Sequence, residues 1–254
     1  MPKSNQSKST SFLRFSLLSV SIAILFLCAV LAFWISPSLK QKKLAQWIVE
    51  NGGYISYSAE DHAAEFYSRA EYGLLGYWPG VDFIDHLSTI HLTAPVSDIS
   101  ALSQANAVFQ ITITEFTGTD LSPICNLYRL EQLRILKSKA IHLNDLIQLS
   151  NLTNLTINNC QLADIQGITN CSNLSSLDLR NTQVADIQIL QHLIELNNLD
   201  LSNTNVIDFR PLEKLENLSR LNLRGTDISP SSLHALRTAL PNCTIDADER
   251  SLNF

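Results

Sequence analysis

The chain has 254 residues, and 45% of them are hydrophobic, which is enough to bury a core and excludes an intrinsically disordered protein. The chain has 18 Lys and Arg residues and 24 Asp and Glu residues, which gives a formal net charge of −6. Residues 1–43 hold six of the basic residues and no acid, so the rest of the chain has 12 basic and 24 acidic groups. This acidic body argues against nucleic acid as a partner, because phosphate binding needs clustered Lys and Arg.

A basic tail, residues 1–14, is followed by an uncharged apolar run over residues 15–35. As a helix, this run would be about 30 Å long, close to the thickness of the hydrocarbon layer of a bilayer. Trp34 stands at one end, where an aromatic ring favours the membrane interface. We therefore predict a transmembrane helix or signal anchor. Alternatives are a signal peptide cleaved near residues 30–32, which the length of the run disfavours, and a buried helix.

Residues 39–80 are predicted to cap the N-terminal end of the fold. Three apolar residues at helical spacing predict a helix over residues 39–50: Leu44, Trp47 and Ile48. Asn-Gly-Gly at residues 51–53 would end that helix, and residues 54–57 then have the composition of a strand. A second short helix is predicted over residues 61–70. The alternative for this region is a small, separate sensing module.

A repeat of constant period follows. Six LxxLxL-like segments begin at equal intervals along the chain, at Val108, Leu130, Leu152, Leu174, Leu196 and Leu218. A related segment begins at Leu87, one position short of a full interval before Val108, and another begins at Leu240, one full interval after Leu218. Alternating apolar residues predict a strand with one buried face, and apolar residues spaced by three predict a short helical or 3₁₀ return. One such coil cannot bury its leucines alone, so the coils must stack.

The pattern resembles the leucine-rich repeat, LxxLxLxxN/CxL, over residues 81–246. The resemblance implies an α/β solenoid with a parallel β-sheet on the concave face. Short helical or 3₁₀ returns would then form the convex face.

Two columns of polar residues recur within the repeat. At the ninth position, small polar side chains are predicted to point inward and bond to backbone groups: Ser138, Cys160, Thr182, Thr204 and Thr226. Four positions later, acidic residues are predicted to be N-caps of the returns: Asp120, Asp164, Asp186 and Asp208, with His142 in the third coil. A metal-binding column is disfavoured, because it would supply only one ligand per coil.

The C-terminal end has its own start and stop signals. Ser229 followed by Pro230 predicts the beginning of a helix over residues 229–240. A last strand is predicted over residues 240–245, and residues 247–254 form a tail.

The whole chain resembles bacterial single-pass, membrane-anchored leucine-rich-repeat proteins. Besides the apolar run, the resemblance depends on an IxxxGGxxxY-like segment and a closing LPNCxI segment, which correspond to Ile48, Gly52, Gly53, Tyr57 and residues 240–245. It implies a membrane-anchored solenoid and does not imply any particular reaction.

The sequence contains no recognisable catalytic motif. Its six histidines are scattered without HExxH spacing, its cysteines have no CxxC pair, and no phosphate-binding glycine loop is present. We predict no enzyme activity, no cofactor and no metal; the alternative is an enzyme with an unrecognised site in residues 39–80. Within the repeat, six Asn-x-Ser/Thr triplets are attributed to its turns: Asn151, Asn154, Asn170, Asn173, Asn217 and Asn242.

The third, fifth and seventh positions of each coil are predicted to face outward from the sheet. They form a mixed polar strip without aromatic residues from residue 110 onward. The partner-binding residues predicted on it are Arg134, Asp178, Arg180, Asp200, Arg220 and Arg224.

The functional prediction is non-catalytic protein–protein recognition on the concave sheet, with no small-molecule substrate. The anchor at residues 15–35 would hold the repeats outside the cytoplasm, in the periplasm or at the cell surface; the protein would be secreted if this segment is cleaved. The alternative is a structural component of the cell envelope that acts by self-association.

Overall fold

The computed structural model describes residues 43–57, 87–139 and 141–248. The predicted transmembrane helix at 15–35 and the predicted helix at 61–70 lie outside the described residues. Within the described ranges, every helix is too short or too polar to cross a bilayer.

In the described residues, nine strands form one sheet whose order follows the chain. The first two strands are antiparallel, and all later neighbours are parallel. The strands are β1 Tyr54–Tyr57, β2 Leu87–Leu92, β3 Gln110–Thr114, β4 Gln132–Leu136, β5 Asn154–Asn158, β6 Ser176–Asp178, β7 Asn198–Asp200, β8 Arg220–Asn222 and β9 Thr244–Asp246.

The fourth position of the repeat forms a continuous interior row. Its members are paired in register across the parallel strands and are at most 2% exposed: Ile111, Leu133, Leu155, Leu177, Leu199 and Leu221. Because paired members are always one repeat period apart in the sequence, the period sets the register. The predicted solenoid with a parallel sheet is confirmed.

The returns are short 3₁₀ segments opposite the sheet, as predicted. They are Ser100–Gln104, Ser122–Ile124, Asn144–Gln148, Gln166–Ile168, Gln188–His192 and Arg210–Lys214. Each contributes at least one fully buried aliphatic side chain to the core, as Leu146 and Leu190 do.

The predicted N-cap role of the aspartates needs a correction. Each of these carboxylates accepts a hydrogen bond from the backbone N–H two residues later, and that later residue is the first residue of the return. The four aspartates are Asp120, Asp164, Asp186 and Asp208. The N-cap position itself holds an apolar residue such as Leu121 or Ile187. The side chain therefore caps from one residue further out, because a core residue occupies the cap position.

The ninth position behaves as predicted. The hydroxyls of Thr182, Thr204 and Thr226 donate to the carbonyl three residues earlier, each at 2.6 Å. The Ser138 hydroxyl donates to the Leu136 carbonyl two residues earlier at 3.0 Å and also accepts from the Phe116 N–H of the preceding coil at 3.1 Å. These bonds satisfy backbone groups that the turn would otherwise leave unpaired in the interior.

The eighth position turns the chain through a left-handed backbone conformation. Its φ angles lie between 52° and 71° in six successive coils, at Glu115, Lys137, Asn159, Asn181, Asn203 and Gly225. Asn and Gly adopt this conformation at low cost, and they occupy the last four positions.

The Asn-Leu-Ser/Thr triplets also have the predicted turn role. The side-chain amides of Asn151, Asn173 and Asn217 donate to carbonyls of the preceding coil over 2.7 to 2.9 Å. These amides join neighbouring coils along one edge of the stack.

Helices flank the repeats in the described chain. The first, α1, is described over residues 43–50; Leu44 and Ile48 are buried, and Gly53 N–H bonds back to the Ile48 carbonyl at 2.8 Å. The second, α2, spans Pro230–Ala239, and Ser229 Oγ accepts from Ser232 N–H at 3.1 Å. The predicted Ser-Pro start is therefore confirmed.

Candidate binding face of the sheet

The fifth position of the repeat forms a row on the sheet face opposite the leucines. We call it row five; its members, paired in register from β1 to β9, are Tyr54, His91, Thr112, Arg134, Thr156, Asp178, Asp200, Asn222 and Asp246. Neighbouring strands in a sheet are about 4.8 Å apart, so adjacent side chains of the row can interact.

All six predicted partner-binding residues lie on this side of the sheet. Arg134, Asp178 and Asp200 belong to row five, and Arg220, at the third position of its repeat unit, is the first residue of β8. Arg180 and Arg224 each follow the end of a strand by two residues and pair with acids of row five. The structure thus gathers these six residues on one surface, but they differ in how many of their charges are already paired.

The Asp178 carboxylate is occupied by Arg180. Its Oδ2 is 3.0 Å from the Arg180 guanidinium, and its Oδ1 accepts from Arg180 N–H at 3.1 Å. Burial nevertheless raises the pKa of Asp178, and the neighbouring Asp200 carboxylate adds to that rise, although Arg180 opposes it. This acid is therefore engaged within its own coil.

The next two coils repeat this self-engagement. Asp200 accepts from the Ser202 N–H at 2.9 Å, from the Ser202 hydroxyl at 2.6 Å and from the Asn222 amide at 3.0 Å. Asn222 in turn accepts from Arg224 N–H at 3.2 Å, and the Arg224 guanidinium lies 3.5 Å from Asp246. The C-terminal half of the face therefore satisfies most of its own polar groups.

Two of the predicted arginines have no such partner. In the described part of the chain, the side chains of Arg134 and Arg220 make neither a hydrogen bond nor a salt bridge, and both residues are exposed. Arg134 acts at longer range: its charge lowers the pKa of His91 and opposes the rise at Asp178.

Sequence reasoning missed three residues at the N-terminal end of row five. The rings of Tyr54 and His91 stack with centroids 4.5 Å apart and planes inclined by 11°. Burial, followed by the charge of Arg134, lowers the pKa of His91. Thr112 is only 8% exposed, and its hydroxyl has no hydrogen-bond partner among the described residues.

The sequence contains part of the information needed to find these three residues. The segment LSTIHL puts His91 at the fifth position of the first repeat unit, so the strip could have been traced one coil further back. Tyr54 lies outside the repeat and comes into row five through the antiparallel pairing of β1 with β2. The predicted polar strip therefore continues at its N-terminal end into a pair of stacked aromatic rings.

The potential metal ligands and the cysteines of the described residues can be located in the structure. In residues 43–57, 87–139 and 141–248, no group of three or more His, Cys, Asp or Glu residues could hold a metal ion. Cys125, Cys160 and Cys171 are buried free thiols, and burial raises the pKa of Cys171 to about 11. A thiol with so high a pKa is a poor nucleophile at neutral pH.

Comparison with known proteins identifies relatives of this fold. Residues 150–192 match the family model described as Leucine Rich repeats (2 copies). The solved structure of internalin C2 from Listeria monocytogenes is 25% identical with a TM-score of 0.58; the match covers 64% of this chain and 71% of that one. No curated protein sequence matches the chain significantly.

Two further solved structures are similar in fold. Internalin F from Listeria monocytogenes is 21% identical with a TM-score of 0.59, over 82% of this chain and 55% of that one. A plant peptide hormone receptor, RGFR1, solved in complex with RGF2, is 16% identical with a TM-score of 0.51, over 64% of this chain and 32% of that one. The chain thus contains leucine-rich repeats and folds as their solenoid.

Proposed function

We propose that this protein is a membrane-anchored, non-catalytic leucine-rich-repeat protein that recognises a protein partner on the exposed face of its parallel sheet. One observation carries the proposal: a polar row runs in register from β1 to β9, and some of its groups have no partner inside the described part of the molecule. A rigid scaffold that presents unpaired groups can bind a partner with little loss of conformational entropy.

The similar structures support a binding role at a coarse level. The plant receptor RGFR1 was solved in complex with RGF2, so this kind of solenoid can bind a polypeptide. The predicted partner-binding residues remain part of the proposal: Arg134, Asp178, Arg180, Asp200, Arg220 and Arg224. We expect the unpaired Arg134 and Arg220 to contribute more to binding than the self-paired members.

The location is also part of the proposal. The uncharged run at residues 15–35 would anchor the chain in a membrane, with the acidic repeats outside the cytoplasm. Anchoring raises the local concentration of the repeats at the membrane, so a weak contact with a membrane-bound partner would be enough.

Site-specific photo-crosslinking in the native membrane tests the proposal. A photoreactive residue replaces Gln132, Thr156 or Asn198 on the sheet face, or Gln148 or Lys214 in the returns. We expect the three face positions to crosslink to one common protein and the two return positions not to do so. Arg134→Glu with Arg220→Glu should lower the yield at the face by at least fivefold.

Arg210→Glu is the matched control, since Arg210 is an arginine of a return and pairs with Asp208 at 2.7 Å. It should leave the crosslink yield unchanged. Crosslinks only between copies of this chain would instead support a structural role by self-association. Equal yields from both surfaces would refute recognition by the sheet face.

A further inference from the structure

We propose that the N-terminal end of row five is a binding site for an acidic side chain of a partner polypeptide, followed by an aromatic side chain. The site consists of Tyr54, His91, Thr112 and Arg134. This inference rests on the proposed function and adds the position of the contact and the chemistry of the partner.

Arg134 supplies the charge of the site. Its guanidinium is exposed and has no hydrogen-bond or ion-pair partner among the described residues, whereas Arg180 and Arg224 are both paired with row-five acids. A guanidinium presents a planar fork of donors that fits a carboxylate through two parallel hydrogen bonds. The ligand group of matching shape and opposite charge is therefore a carboxylate.

Thr112 supplies a second donor next to Arg134. The two residues are direct partners in the pairing of β3 with β4. Thr112 is more than nine-tenths buried, and within the described part of the chain its buried hydroxyl is without a partner. A buried hydroxyl without a partner is rare and unfavourable, so an acceptor beside Arg134 would remove a defect of the free protein. A carboxylate has two oxygens and can accept from both residues.

The Tyr54–His91 stack supplies an apolar surface on the other side of Thr112. His91 pairs with Thr112 in the sheet and with Tyr54 across β1, so the order along the row is ring, ring, hydroxyl, guanidinium. Burial and Arg134 both lower the pKa of His91, so its ring is neutral at pH 7 and can pack against an apolar side chain. Aromatic side chains pack well on such a surface, and they contribute strongly to binding energy.

The other end of row five would repel the same ligand. Asp178, Asp200 and Asp246 are acids whose carboxylates are engaged by neighbours, and a further carboxylate would face like charges there. In the chain as described, Arg220 is also unpaired, but its in-register strand neighbours are Asn198 and Thr244, neither of which is aromatic. The N-terminal end is thus the better site for an acidic–aromatic pair.

A peptide titration tests this site on the full-length chain in detergent micelles. The probe is acetyl-Gly-Ser-Glu-Phe-Ser-Gly-amide, and the ring protons of His91, assigned with His91→Gln, report binding by NMR. We expect saturable shifts of the His91 signals. Replacing Glu by Gln in the probe should weaken binding by about tenfold, since a charged hydrogen bond is lost. Replacing Phe by Ala should weaken it by at least threefold.

Two pairs of variants locate the contact. Arg134→Gln should weaken probe binding by about tenfold, whereas the matched Arg220→Gln should change it by less than twofold. Thr112→Val should weaken binding by at least threefold and also raise the urea midpoint of the free protein, because it removes an unpartnered hydroxyl. Thr156→Val, one coil beyond Arg134 in the same row, should do neither.

Three results would overturn the inference: no saturable shift at His91, equal binding of the Glu and Gln probes, or unchanged binding by both Arg134→Gln and Thr112→Val. None of these would refute partner recognition, which the crosslinking experiment tests with the native partner. Conversely, face-specific crosslinking that Arg220→Glu alone abolishes would keep the proposed function and reject this site.

Discussion

The two halves of the repeat share their leucines but differ in their strands. The strands β3 to β5 have five residues each, whereas β6 to β8 have three. The interior row is buried equally in both, so the core does not explain the difference.

The residue at the fifth position explains it. In β6 to β8 this residue is Asp178, Asp200 or Asn222, and each side chain accepts the backbone N–H two residues later. That N–H is then withdrawn from the sheet, since a short Asp or Asn side chain competes with strand pairing for nearby amides. In β3 to β5 the fifth residue is Thr or Arg, and pairing continues to Leu136 and Asn158.

The residue type at the fifth position also decides which polar side chains of row five are paired and which are unpaired. Where the fifth residue is Asp or Asn, it is engaged by its own coil or the next, together with Arg180 and Arg224. Where it is Thr or Arg, the side chains of Thr112 and Arg134 are left without partners in the described chain. The fifth-position side chains of the N-terminal half therefore keep hydrogen-bonding groups unpaired within the described chain, whereas those of the C-terminal half are engaged in internal contacts.

The largest expected effect tests whether the cores of the two halves are equivalent. Leu133→Ala and Leu199→Ala remove side chains that are at most 2% exposed, and each should reduce the free energy of unfolding by about 3 kcal/mol. Urea unfolding followed by circular dichroism measures both losses.

Exposed Ile194→Ala is the control for this pair and should cost well under 1 kcal/mol, because the side chain is 56% exposed. If the two leucine variants differed by more than about 2 kcal/mol, beyond the usual spread between sites, the halves would differ in their cores as well as their faces.

A smaller effect is expected from exchanging the fifth residue. Asp200→Thr places the N-terminal type of residue in the C-terminal half and removes the acceptor for the Ser202 amide, the Ser202 hydroxyl and the Asn222 amide. We expect a loss of about 1 to 2 kcal/mol in the free energy of unfolding. Amide exchange at Ser202 should also change, because its N–H loses the side-chain bond.

Asp200→Asn is the conservative comparison for that exchange. It keeps an acceptor oxygen for the Ser202 amide and should retain most of the stability. If Asp200→Thr and Asp200→Asn destabilised the protein equally, the charge of Asp200 and not its strand-end hydrogen bonds would be the stabilising feature.

Much of the fold follows from the sequence, because the determinants are local and repeated. The constant repeat period places Leu133 and Leu199 in the interior row, and it identifies the inward hydroxyls of Thr182 and Thr204. Ser229 before Pro230 marks the start of α2 without any tertiary information. Each of these features needs only the spacing of apolar residues or the chemistry of one turn.

The candidate site depends on features that the sequence does not contain locally. Tyr54 reaches His91 through an antiparallel register between segments outside the regular period. Whether Arg134 or Arg180 is free depends on which neighbour has a carboxylate within reach, and that is decided by side-chain geometry across coils. Glu115 and Lys137 also adopt left-handed conformations that only Asn and Gly would have suggested.

The smallest expected effect is on the pH dependence of stability, which distinguishes Asp178 on the sheet face from Asp208 just before a return. Hydrogen bonds from Arg210 lower the pKa of Asp208 to about 2, whereas burial raises the pKa of Asp178. A lowered pKa in the folded state stabilises the protein above the unfolded pKa, near 3.9, and this contribution disappears as the pH falls towards 2. A raised pKa has the opposite sign: its contribution is present at low pH and disappears as the pH rises through the folded value.

Melting temperatures between pH 2 and pH 6 therefore separate the two residues. Asp208→Asn should make the acid loss of stability shallower between pH 4 and pH 2, because the variant has no carboxylate to protonate there. Asp178→Asn should make it steeper above pH 4, because it removes a group that favours the folded state on protonation. Gln183→Asn, at an exposed position without a titratable group, is a control expected to change neither slope. If both aspartate variants changed the slope in the same direction, burial would not be the main influence on the pKa of Asp178. The Asp178 carboxylate would then be more exposed to solvent than its contacts in the structure indicate.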